Sequence, residues 1–142
     1  MRIKNVLILV AAIGQIAITV HAATPTAKEE YELQARCGQQ SRDEFTKEFG
    51  NGIINTRNGQ DLASFKNHYN KRLNKCFYLL RYASYTIKGK NAGAVSELIW
   101  LWDLNENNEI GTYTGSMVCQ VAGVPCKSKA EWDALVKPYM SD

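Results

Sequence analysis

Four cysteines restrict the fold of this 142-residue chain more than any other feature, because their number is even and a signal-like segment precedes them. They are Cys37, Cys76, Cys119 and Cys126. In a small exported domain this predicts a disulfide framework, for which three connectivities exist. We favour Cys119–Cys126, because the segment between them contains a glycine and a proline that let the chain reverse. That pairing leaves Cys37 to join Cys76.

The first 22 residues have the pattern of a secretory signal peptide. Arg2 and Lys4 form a positive start, residues 6–17 are almost entirely apolar, and small residues follow where a signal peptidase would cut. The apolar run is too short to cross a membrane core of about 30 Å comfortably. We therefore expect residues 1–22 to be removed. Residues 23–142 should then form one globular domain that is exported, either periplasmic or secreted, without a membrane span.

Two helices are predicted, one near each end of this domain. Thr26 with Glu29, and Ser128 with Glu131, have the spacing of a capping box, in which side chains bind the amide groups that a first helical turn leaves open. Apolar or small residues then recur with helical spacing on one face of each segment. In the first helix they are Leu33, Cys37, Ser41, Phe45 and Phe49, and in the second Trp132, Leu135, Val136 and Tyr139.

Between the helices the composition favours strands. Residues 76–87, 95–103 and 110–114 are rich in aromatic and β-branched side chains and are separated by polar turns. Residues 61–68 have apolar side chains at helical spacing and predict a short helix. The expected fold is α+β: a small antiparallel three-stranded meander packed by an N-terminal and a C-terminal helix, with two disulfides.

Charge is distributed unevenly along the chain. Loss of the signal would reduce the formal net charge from +3 to +1, but residues 57–90 alone carry +7. Strand alternation would place Lys71, Lys75 and Arg81 on one face, which predicts a candidate surface for an anionic partner. The partner would be an unknown protein or an anionic envelope polymer, and nucleic acid is not expected.

No catalytic constellation stands out in the sequence. His68 is the one histidine after the signal, and its polar surroundings indicate a surface or turn position rather than a catalytic base. Glu97 and Asp103 offer carboxylates for a glycosidase-like pair, but their separation is unknown from sequence. Residues 103–110 resemble the start of a calcium loop, yet Asn108 stands where such a loop needs glycine, so an asparagine-rich hairpin turn is favoured. We expect no metal and no cofactor.

Trp100 and Trp102 alternate along one predicted strand and therefore share a face. Two tryptophans in this arrangement can form a platform on which sugars stack. Packing into the core is the more common role for such side chains, and it is the expectation here.

The segment from His68 to Phe77, His-Tyr-Asn-Lys-Arg-Leu-Asn-Lys-Cys-Phe, lies between Cys37 and the downstream Cys126-Lys-Ser-Lys-Ala-Glu-Trp132. With these flanks it resembles a family of small exported bacterial proteins of uncharacterised function. The resemblance implies a two-disulfide extracytoplasmic domain and supplies no activity.

Together these features favour a small exported, non-catalytic binding or inhibitor-type protein of the bacterial envelope. Two alternatives stay open. One is a small envelope glycan hydrolase that uses carboxylates such as Glu97 and Asp103. The other is an accessory or structural component of a surface or secretion assembly.

Overall fold

The computed structural model describes residues 25–115 and 117–142. The predicted signal peptide at 1–22 lies outside the described residues. Two helices and seven strands make up the described part: α1 (Ala27–Phe49), β1 (Ile53–Asn55), β2 (Gly59–Asn70), β3 (Lys75–Thr86), β4 (Val95–Asp103), β5 (Asn108–Tyr113), β6 (Cys119–Val121), β7 (Val124–Pro125) and α2 (Lys129–Met140).

The strands form one antiparallel sheet in which each strand pairs with its neighbours along the chain, in the order β1 to β7. The prediction of a three-stranded meander is therefore wrong. The three predicted strands correspond to β3, β4 and β5, while β1, β6 and β7 contain only two or three residues each. Strands this short carry too little alternation to be distinguished from loops in the sequence.

The predicted helix over residues 61–68 is also wrong, because this segment lies within β2. Leu62, Phe65 and Tyr69 follow the spacing of a helical face, but in the strand Leu62 points to one side and the other two to the opposite side. All twelve residues of β2 pair in continuous register with β3. The β-prone sequence of β3 thus imposes extended structure on a partner of weak intrinsic preference.

Alternation along β3 and β4 gives the sheet two covered faces. Tyr78 and Leu80 face α1, whereas Phe77 on β3 and Leu101 on β4 face α2. Capping residues start both helices where the sequence predicts: the Thr26 hydroxyl accepts the amide of Glu29, and the Ser128 hydroxyl accepts the amide of Glu131. The result is a three-layer domain with the sheet in the middle.

The core on the α2 face is closed. Trp132 is fully buried against the sheet, where Gly111 leaves room for its ring: a Cβ at that glycine would lie 3.1 Å from the indole. Buried Asn70, at the end of β2, donates from its side-chain amide to the carbonyls of Pro138 and Ser141 at 2.9 and 3.0 Å. Carbonyl groups at the C-terminal end of α2, which have no partner within the helix, therefore receive hydrogen bonds from a side chain of the sheet.

Both predicted disulfides are present, as Cys37–Cys76 and Cys119–Cys126. The first joins the middle of α1 to the start of β3 and is buried. The second joins β6 to the segment that follows β7. The first bridge thus ties α1 to the sheet and the second ties the segment before α2 to the sheet, which fits a structural role.

Within residues 25–115 and 117–142, neither helix is both long enough and apolar enough to span a membrane.

Candidate functional site

The covering of the sheet by α1 is incomplete. The helix packs mainly on β2 and to a lesser extent on β3. On the same face of the sheet, β4 is not covered by α1 and lies to one side of the helix. A groove of ≈ 720 Å³ lies there, between α1 and the exposed part of the sheet. Its size falls within the range of ordinary ligand sites.

Aromatic side chains form the floor of the groove. Trp100 and Trp102 are half-buried on β4, two residues apart and so about 7 Å from each other along the strand. In the ladder with β3 they lie directly opposite Leu80 and Tyr78 respectively. The predicted shared face of the two tryptophans is confirmed. Their packing into the core is only partial, because one side of the pair borders the open groove.

The wall of the groove is polar and comes from one row of α1. Gln40, Glu44 and Glu48 follow each other at intervals of four residues, and Lys47 lies next to them. The Gln40 amide donates to the carbonyl of Leu104 at 3.1 Å, and both residues line the groove. This hydrogen bond connects the helix to the β4–β5 turn and so bounds one end of the groove.

Tyr78 lies where floor and wall meet. The residue is only 5% exposed, and burial raises the pKa of its phenol above the ordinary value, with the negative charges of Glu48 and Glu44 adding to the effect. The hydroxyl is therefore protonated at neutral pH and can donate a hydrogen bond.

A third acidic residue lies on the far side of the floor. Glu109 on β5 pairs with Trp102 in the ladder, and Thr112 pairs with Trp100, so both side chains project from the same face as the tryptophans. The Thr112 hydroxyl donates to the Glu109 carboxylate. Carboxylates thus border the tryptophan pair on both sides.

The three predicted cations of the anionic-partner surface all lie in ion pairs. Lys71 Nζ is 2.7 Å from Glu30, Lys75 Nζ is 2.6 Å from Asp103 and 2.7 Å from Glu106, and Arg81 contacts Glu97. Lys71 lies in the turn between β2 and β3 rather than on a strand face. Hydrogen bonds from the two lysines to these carboxylates raise both lysine pKa values. Folding therefore brings part of the positive segment 57–90 against the acidic segments on either side of it.

The candidate carboxylate pair is not brought together. Glu97 and Asp103 are six residues apart on β4, which separates their Cα atoms by roughly 20 Å. Two carboxylates that act on one glycosidic bond lie about 5–9.5 Å apart. Asp103 is moreover fully buried, and its Oδ1 accepts the amides of Asn105 and Glu106 at 2.9 and 3.3 Å. It therefore organises the β4–β5 hairpin turn.

The same contacts explain the calcium-like spacing of residues 103–110. The segment forms the turn of the β4–β5 hairpin, and the ammonium of Lys75 contacts the free oxygen of Asp103. In the described residues no cluster of metal-ligating side chains is found.

His68 lies on β2, where its Nε2 is 3.3 Å from Asp142 near the chain end.

The groove wall has a signal in the sequence, next to the predicted core stripe of α1. Gln40, Glu44 and Glu48 each precede by one position a member of the predicted core stripe, Ser41, Phe45 and Phe49. A row one position from the core borders the buried face of a helix. Whether such a row faces solvent or a groove depends on how much of the sheet the helix covers, and that is a tertiary property.

Comparison of the chain with protein-family models, with curated proteins and with solved structures found no match. The chemistry of the groove's own side chains is therefore what points to a function.

Proposed function

We propose that this protein is a non-catalytic binding protein that holds its partner in the groove between α1 and β4. The observation that carries the proposal is the pair Trp100 and Trp102, left partly exposed side by side on the sheet face that α1 covers incompletely. Exposed tryptophans that border a concave surface are typical anchors for binding, because they bury a large area at small entropic cost.

A binding role accounts for the groove better than a hydrolytic one. The carboxylates considered for catalysis, Glu97 and Asp103, are too far apart and are both held in ion pairs on the opposite face of the sheet. The anionic-partner surface is also a weaker candidate, since a ligand there would have to compete with the ion pairs of Lys75 and Arg81. A ligand in the groove would not have to break these ion pairs.

The proposed place of action is outside the cytosol. Two disulfides tie both helical regions to the sheet, and such bonds persist in oxidising compartments. Sequencing the N-terminus of protein recovered from the periplasm or the medium tests export directly. A start at Ala23 supports it, and exported protein that retains Met1 contradicts it.

The groove is tested by comparing variants in a capture experiment. The folded protein is immobilised, exposed to envelope extract, and compared with Trp102→Ala in the groove and Arg81→Ala on the opposite face. We expect saturable retention of one partner by the wild type and by Arg81→Ala, with at least a tenfold loss in Trp102→Ala. Equal retention by Trp102→Ala, or no saturable retention by the wild type, would overturn the proposal.

A further inference from the structure

From the charges around the tryptophan pair we infer that the groove, if it is the binding site proposed above, receives a basic side chain of a protein partner, arginine in particular. The inference concerns the chemical class of the ligand. It depends on three features of the groove: its acidic borders, its aromatic floor and its volume.

The wall of the groove on α1 is acidic. Glu44 and Glu48 line it, and Glu109, which lies outside the lining residues, projects from β5 opposite Trp102 in the ladder. Lys47 is the one basic residue among those that line the groove in the described structure. An anionic ligand would therefore meet mostly like charges along α1, whereas a cation would be attracted to them.

The aromatic floor favours the same class of ligand. The face of an indole ring carries negative potential, and a guanidinium or ammonium group above it is attracted by that potential. A guanidinium is also planar and can stack on an indole while it donates to a carboxylate at its edge. Trp102, with carboxylates on either side, provides both interactions in one place.

The remaining surfaces of the groove suit the rest of a peptide. Its ≈ 720 Å³ exceeds what a single side chain fills, so neighbouring residues of the partner can also enter. Leu80, Leu104 and Phe49 offer apolar contacts along its length, and Gln40 and Asn107 offer amides. A neutral glycan could stack on the tryptophans as well, but it would gain nothing from the flanking negative charge.

The test uses synthetic peptides and the folded, disulfide-bonded protein. A short glycine–serine peptide carrying several arginines is titrated into the protein while tryptophan fluorescence is followed. Matched peptides carry lysine, glutamine or glutamate at the same positions. We expect the arginine peptide to bind at least as tightly as the lysine peptide, both to bind roughly tenfold more tightly than the glutamine peptide, and the affinity of both to fall with added salt.

Variants on one helix give opposite predictions. Glu44→Gln combined with Glu48→Gln should weaken the arginine peptide roughly tenfold, whereas Lys47→Gln should strengthen it about twofold. Glu32→Gln, on the same helix but outside the groove, is the matched control and should leave the affinity unchanged. All of these positions are exposed, so the variants should fold.

Three results would overturn the inference: equal affinity for the arginine and glutamine peptides, no detectable binding of the arginine peptide, or no effect of the two glutamine substitutions. A neutral gluco-oligosaccharide is titrated in parallel. If it bound in a Trp102-dependent manner while the arginine peptide did not, the ligand class inferred here would be wrong and the groove would stand as the binding site. Failure of the capture experiment would instead remove the proposed function itself.

Discussion

Lys75 Nζ lies 2.6 Å from Oδ2 of Asp103, a carboxylate with no exposed surface. The ammonium comes from the first residue of β3 and the carboxylate from the last residue of β4. The pair thus joins the end of the central hairpin to the turn that follows it. Asp103 also accepts hydrogen bonds from two backbone amides of the turn. Lys75 thus balances the charge of the carboxylate, and the turn amides supply its other hydrogen bonds.

Asp103→Ala should therefore destabilise the fold by about 3 kcal/mol, since it leaves two turn amides without their acceptor and leaves Lys75 with Glu106 as its one remaining carboxylate partner. Chemical denaturation measures the change in the free energy of unfolding. Glu106→Ala is the matched control: it also removes a carboxylate from Lys75, but an exposed one, and should cost less than about 1 kcal/mol. Similar losses in both variants would mean that Asp103 does not organise the turn.

The two disulfides should contribute unequally. Cys37–Cys76 spans 39 residues and Cys119–Cys126 spans 7, so the chain-entropy model gives about 4 and about 2.4 kcal/mol respectively. Replacing each pair by alanine and comparing the free energies of unfolding tests this order. A larger loss on removal of Cys119–Cys126 would contradict it.

Stability at low pH should depend on Asp61. Hydrogen bonds from Ser84 and Tyr82, at 2.6 and 2.5 Å, lower the pKa of this carboxyl below its ordinary value of 3.8. A lowered folded-state pKa stabilises the fold above the ordinary value, and the contribution is lost as the pH falls through the folded-state pKa. Stability attributable to Asp61 is thus present at pH 5 and absent well below its folded-state pKa.

Removing both donors, as Tyr82→Phe with Ser84→Ala, should bring the pKa of Asp61 back toward 3.8 and reduce the loss of stability on acidification. Denaturation at about pH 5 and about pH 2 in both proteins gives the two losses for comparison. Other carboxyls with lowered pKa values, such as Glu29 and Asp142, are present in both proteins and cancel. Equal acid sensitivity would show that the two hydroxyls do not hold Asp61 ionised.

The three tryptophans should differ in both exposure and cost of removal. Trp132 is fully buried, so Trp132→Ala should cost about 3–5 kcal/mol, whereas half-buried Trp102 should cost about 1–2 kcal/mol. In variants that retain a single tryptophan, with phenylalanine at the other two positions, acrylamide should quench Trp100 and Trp102 more strongly than Trp132. Equal quenching would mean that the groove floor is not accessible.

Local features were predictable from the sequence because their signals are local. Thr26 and Ser128 cap the helices that follow them, and Gly123 and Pro125 lie in the short loop that Cys119–Cys126 closes. The continuous β-prone runs of β3 and β4 were predictable for the same reason. The partner strand β2 was not, because Leu62, Phe65 and Tyr69 match helical spacing and only pairing with β3 selects the extended form.

The candidate site could be predicted only in part. That Trp100 and Trp102 share a face follows from alternation, but their exposure depends on α1 lying over β2 and β3 instead of β4. The uneven distribution of charge along the chain could be read from the sequence, but the ion pairs that it forms could not. Lys71, Lys75 and Arg81 meet carboxylates from segments up to 41 residues away in the sequence, and those contacts exist only in the folded chain.

Indole proton–nitrogen NMR shows directly whether a basic partner binds between α1 and the tryptophan pair. Each of the three indole signals is assigned with a Trp→Phe variant, and the arginine-bearing peptide is then titrated into the wild type. We predict saturable shifts of the Trp100 and Trp102 signals, little change at Trp132, and shifts that need roughly tenfold more peptide in Glu44→Gln with Glu48→Gln. Unmoved Trp100 and Trp102 signals, or shifts unaffected by those substitutions, would contradict it.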